Sequence, residues 1–177
     1  FLVVTFAIAT CGLMPAYGSE EKPSADFSVS ALSAYIWRGQ ELSRDSIVIQ
    51  PSTTVSYRGF SANLWGNLDT EPYTSSHEED DSSNWNETDL TLSYGRQCGP
   101  VGVELGYIYY ALDGFDDSQE LFLSLGLDTL LAPTLTVYKE FNHYPHWYIL
   151  FGISHAFEMT DTVSLELSAS ASYLESD

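Results

Sequence analysis

The chain has 177 residues, enough for one domain. It carries 25 acidic side chains against 6 Lys and Arg, a net charge of −19, together with 12 Tyr, 9 Phe and 4 Trp. That balance argues against nucleic acid, whose phosphates would be repelled, and against a basic binder of membrane surfaces.

Residues 1–18 read as the apolar core and tail of a secretory signal, with Ala16-Tyr17-Gly18 as a small-x-small cleavage site before Ser19. A competing reading makes Cys11 a lipidated cysteine after Ile8-Ala9-Thr10. Residues 19–25 form a polar leader, and 26–177 are expected to form one β-domain. After signal removal only Cys98 remains, in an expected tight turn with no disulfide partner.

Nine strands are expected from side-chain alternation, at residues 26–37, 47–57, 60–68, 87–96, 101–112, 119–128, 134–141, 147–157 and 162–173. Each has one greasy face and one polar or small face. In 101–112, Val103, Leu105, Tyr107 and Tyr109 oppose Gly102, Glu104 and Gly106. In 26–37, Phe27, Val29, Ala31, Tyr35 and Trp37 share the greasy face, and Arg38-Gly39 ends the strand. Pro51 cannot donate to a ladder, so a bulge or break is expected there. Arg58-Gly59 is a hairpin-turn signal. Lys139 interrupts a greasy face near a strand end, where a long side chain can snorkel.

Connections after even-numbered strands are tight, and those after odd-numbered strands are longer or more acidic. Aromatics on the greasy faces gather near strand ends, with Leu, Ile, Val and Ala between them. Strands of about ten residues with this short/long alternation fit an antiparallel up-and-down transmembrane β-barrel. A soluble all-β sandwich is the competing fold; it would have Greek-key connections of mixed length and no reason to order its aromatics by depth. Bacterial barrels normally have an even number of strands, so ten to twelve are expected in the intact protein.

Ser33-Ala34-Tyr35-Ile36-Trp37-Arg38-Gly39-Gln40, then Gln50-Pro51-Ser52 and Gly59-Phe60-Ser61-Ala62-Asn63-Leu64-Trp65-Gly66-Asn67, resemble a family of bacterial outer-membrane proteins of the TorF or Gcw_chp type. Its signature is Tyr-x-Phe/Trp-Arg-Gly in the first strand. The resemblance implies a barrel with a porin role and brings no catalytic residues.

Parity places Arg38, Glu87, Asp89, Glu104, Glu120, Glu140 and Glu166 toward the lumen, with Gly102, Gly106, Gly126 and Gly152 leaving room for water. Rings of carboxylates select cations, so a passive, cation-leaning channel is the first expectation. The alternative is a closed structural or surface-binding barrel acting through acidic outer loops. Of those loops, 69–86 is the longest. Asp69, Glu71, Glu78, Glu79, Asp80 and Asp81 offer oxygen ligands for a divalent cation there, without the spacing of an EF-hand.

Ser154-His155 cannot form a dyad, because neighbours on a strand point to opposite faces. His143 and His146 lie in a loop with no specified nucleophile, and the chain is not expected to be an enzyme. Outer-membrane lipid and lipopolysaccharide are the expected partners, with small cations or solutes as cargo. No cofactor and no metal centre are expected.

Overall fold

A computed structural model describes residues 22–71, 84–160 and 162–176. The expected signal, the Cys11 lipidation site and the acids from Glu78 to Asp81 lie outside the described residues.

Among the described residues, eleven strands follow in chain order: β1 Ser24–Leu32, β2 Ile36–Trp37, β3 Gln40–Glu41, β4 Val48–Tyr57, β5 Phe60–Asp69, β6 Asn84–Cys98, β7 Val101–Leu112, β8 Ser118–Leu127, β9 Thr134–Glu140, β10 His146–Thr160 and β11 Val163–Ser176. Nine form one antiparallel meander in the order β1-β4-β5-β6-β7-β8-β9-β10-β11, and β2 and β3 pair only with each other. No helix occurs among the described residues. The sheet is not closed into a barrel: β1 and β11 are its two edges.

Alternation works as the sequence implies. Along β5 and β8 the even-odd pattern of exposed and covered residues is nearly unbroken. Leu64, Leu92, Leu105, Leu121, Leu123, Leu125 and Leu135 are all exposed on one face. Aromatics flank them. Tyr57, Phe60 and Tyr94 lie toward the short turns, with the Phe60 and Tyr94 rings 4.7 Å apart, and Trp85, Phe141, Trp147 and Tyr173 lie toward the long connections. Lys139 extends to within 4.8 Å of the Trp147 ring centre, as a snorkelling chain would.

The other face is polar. The largest fully buried side chains are Glu120, Glu140, Val48, Asn67, Asp69 and Ser43. Four of those six carry a carboxylate or amide, so the covered side is built from polar groups and the exposed side from hydrocarbon.

Pro51 pairs in register with Val29 of β1, and the β4–β5 ladder is interrupted beside it without a register shift. The break is local, because Pro lacks only its own N–H. A shift does occur between Asn67 and Leu68 against β6.

The expected first strand, 26–37, is corrected in two ways. The strand begins two residues earlier, within the expected leader, and stops at Leu32. Tyr35, Trp37 and Arg38 then belong to a separate excursion with a tight hairpin at its centre. Arg38 and Gly39 both have positive φ, 50° and 82°, as do Arg58 and Gly59 at 51° and 87°. Two successive residues at positive φ make the type I′ turn that favours a two-residue hairpin. The same dipeptide therefore makes the same turn twice.

Candidate functional site

The excursion from Ser33 to Ile47 folds back on itself before it meets the sheet. The Leu42 N–H donates to the Tyr35 carbonyl at 2.8 Å, and the Tyr35 N–H donates to Ser43 Oγ at 2.8 Å. Ser46 Oγ then donates to Asp69 Oδ1 at 2.5 Å, and the Thr70 N–H donates to the Ile47 carbonyl at 3.0 Å. These bonds pin the excursion to the end of β5.

Its side chains point onto the polar face. The Tyr35 ring packs 5.6 Å from that of Trp65 on β5, and its hydroxyl is hydrogen-bonded to Glu87 on β6. Burial, and then the charge of Glu87, push the Tyr35 phenol well above its ordinary value. The Trp37 ring meets Tyr110 of β7 edge-on at 6.4 Å. Arg38 reaches Glu120 on β8 and the rings of Tyr138 and Tyr148 on β9 and β10. Three residues within a stretch of four, Tyr35, Trp37 and Arg38, thus touch side chains from β5 to β10. A flat sheet with strands about 4.8 Å apart would spread those six strands over roughly 24 Å. The polar face curls around the hairpin.

Arg38 is the centre of this arrangement. Its two terminal nitrogens donate to the two oxygens of Glu120 at 2.8 and 2.6 Å, a bidentate pair with side chains 7% and 1% exposed. Nη1 also lies 2.9 Å from His146 Nε2. His146 Nδ1 is 2.7 Å from the Tyr144 carbonyl, which can only accept, so Nδ1 carries a proton, and Nε2 lies between Arg38 Nη1 and Glu120 Oε1, 3.2 Å from the latter. The planar guanidinium lies 4.3, 4.9 and 4.2 Å from the ring centres of Trp37, Tyr138 and Tyr148. Tyr110 donates its hydroxyl to Glu120 at 2.8 Å. A buried ion pair needs such supporting bonds, because desolvation of both charges is costly.

The seven residues expected inside the lumen are not equivalent. Arg38, Glu120, Glu87 and Asp89 gather around the hairpin, although Arg38 arrives from a turn and not from the first strand. Glu140 is fully buried and spent on its own loop, accepting from the backbone N–H groups of Asn142, His143 and Tyr144 at 2.9, 3.2 and 3.1 Å. Glu104 faces the polar side of β7, opposite Ser124 of β8. Glu166 is exposed on the edge strand β11. Tyr35 and Trp37, expected on the outer greasy face, lie inside. Gly106 does not leave room for water: a Cβ there would come within 2.3 Å of the Phe122 ring.

Asp69, expected in the acidic loop, is the last residue of β5. It is fully buried and accepts from Ser46 and from the Glu71 N–H, which makes it an anchor of the excursion. No group of three metal-ligating side chains is present among the described residues. Ser154 and His155 form no dyad: His155 turns to the outer face, its ring 4.4 Å from Phe157 and Nδ1 2.7 Å from the Leu130 carbonyl.

Reasoning from sequence missed the inner aromatic row. Phe122, Tyr138 and Tyr148 stack across β8, β9 and β10 at 5.6 and 5.8 Å. Their parity was legible, since they share the polar face of their strands, but parity does not say that an arginine from residue 38 lies over two of them. His146, read as a loop residue, opens β10 and joins the Arg38 cluster.

No family model, curated protein or solved structure matches the chain.

Proposed function

We propose that the chain is the curved wall of a bacterial outer-membrane β-barrel whose polar inner face lines a narrow, cation-leaning passage. One observation carries this reading: the polarity of the sheet is inverted. Hydrocarbon is exposed from Leu64 across to Leu135, while carboxylates and amides are buried. Soluble monomers seldom expose contiguous apolar patches larger than a few hundred Å². A bilayer removes that cost, because lipid tails solvate leucine as well as protein does. In this reading the edges β1 and β11 are paired in the membrane, since free N–H and C=O groups cannot face hydrocarbon. Expected partners are outer-membrane lipid and lipopolysaccharide. The resemblance of residues 33–40 to the TorF or Gcw_chp family points the same way.

The passage would be acidic. Glu87, Asp89, Glu104 and Glu120 lie on the inner side, and Arg38 is already committed to Glu120. Carboxylates along a narrow path favour cations. The 36–41 hairpin sets the constriction.

A second reading is favoured by that same hairpin. If it stays seated, the Arg38–Glu120 pair stoppers the passage and the barrel acts as a closed or surface-binding scaffold. Single-channel recording in planar bilayers separates the two. Stepwise conductance with a cation-selective reversal potential supports the passage. A silent, correctly inserted protein sinks it and leaves the closed scaffold.

A further inference from the structure

A cavity of about 290 Å³ opens beside the hairpin, between the excursion and strands β6, β7 and β10. Trp37, Tyr110, Leu112, Tyr144, Leu174 and Glu87 are among its lining residues. The volume is at the lower end for small-molecule sites.

Most polar lining groups are already engaged. The Tyr110 hydroxyl donates to Glu120, Ser118 Oγ donates to Glu140, and both nitrogens of His146 are bonded. They present carbon to the cavity or have no free capacity to spend. Glu87 differs. It lines the cavity at 8% exposure, and a carboxylate has about four acceptor sites. Its bonds to Tyr35 and Asp89 leave capacity over.

The neighbouring cluster shows how this face accommodates a cation. There the Arg38 guanidinium sits against Trp37, Tyr138 and Tyr148 with Glu120 as counter-charge. The cavity offers the same combination of ring and carboxylate: Tyr110 standing edge-on to Trp37, Tyr144 from the loop, and Glu87. Leu112 and Leu174 add an apolar wall. Aromatic faces attract cations through their quadrupole, and more strongly when water is excluded.

We infer that this cavity binds a small amphipathic ammonium ion, its apolar body among Trp37, Tyr110, Leu112 and Leu174 and its charge shared between ring faces and the Glu87 carboxylate. Binding does not require conduction, so the site stands apart from the channel reading.

Calorimetric titration of the folded full chain with phenethylammonium and with the neutral 2-phenylethanol tests it. The ammonium should bind at least about tenfold tighter than the alcohol. Glu87→Gln should abolish that preference. Tyr144→Ala, on an exposed loop where folding is not at stake, should weaken the ammonium several-fold. Equal affinity for the two probes, binding by neither, a preference that survives Glu87→Gln, or an unchanged affinity in Tyr144→Ala would each overturn the site.

Discussion

Arg38 and Glu120, 82 residues apart, form a bidentate pair that is nearly sealed from solvent and ties the inward hairpin to the middle of the sheet. Removing one partner of such a pair strands the other charge. Glu120→Gln should cost about 3–5 kcal/mol in denaturant unfolding. Arg38→Met in the same chain should restore much of that loss, because the uncompensated guanidinium is gone and the inner rings keep an apolar neighbour. A double variant no better than the single one would mean that the hairpin is held elsewhere.

The two Arg-Gly turns should respond differently to the same change. Both glycines have positive φ, so alanine is strained at either, by about 1 kcal/mol. At Gly39 nothing lies within 4 Å of the added carbon, and the cost should stop there. At Gly59 the carbon would come 2.6 Å from the Gly95 carbonyl oxygen, which is backbone and cannot swing aside. Gly59→Ala should therefore lower the unfolding midpoint well beyond Gly39→Ala.

The connection between β7 and β8 should be sensitive to acid. The Tyr109 hydroxyl, and then the Leu112 N–H, donate to Asp117 and hold its carboxyl below the usual range. A depressed pKa in the fold means stability that is present above the unfolded carboxyl value of about 3.9 and is lost as pH falls through the folded value. Amide protection across 113–117, taken relative to the intrinsic exchange rate at each pH, should stay constant near neutrality and fall only in acid below about pH 4. Asp117→Asn should remove that pH dependence; protection already falling near pH 6 would point to another group.

Charge should be tolerated on one face and not on the other. Leu123→Lys puts an ammonium on the exposed hydrocarbon face, at a cost of roughly 2–4 kcal/mol in a bilayer midplane, and should block insertion into vesicles. Glu104→Lys changes the polar side of β7 and should leave insertion intact while reducing any cation preference. Insertion of both variants with equal yield would remove the distinction between the faces.

The nine long strands were legible because each has one apolar face, and a period of two is hard to mistake over ten residues. Their ends were less so: β6 begins at Asn84 and β10 continues to Thr160, since polar residues extend a ladder as readily as apolar ones. The hairpin was misread for a specific reason. Tyr35 and Trp37 continue the parity of Phe27, Val29 and Ala31, so they pass for the end of a strand. The better signal was the Arg-Gly dipeptide, identical to the turn correctly read at 58–59. What parity cannot supply is distance in space. That Arg38 lies against residues from β8, β9 and β10 depends on how the sheet curls, a property of all the strands together.

The inverted sheet is tested most directly by measuring which side chains meet lipid. With Cys11 and Cys98 replaced by serine, single cysteines at positions 123 and 124 can carry an environment-sensitive fluorophore in vesicles with brominated acyl chains. The label at 123 should be strongly quenched and that at 124, one residue along the same strand, should not. Equal quenching at both positions, or none at either, would contradict a transmembrane wall.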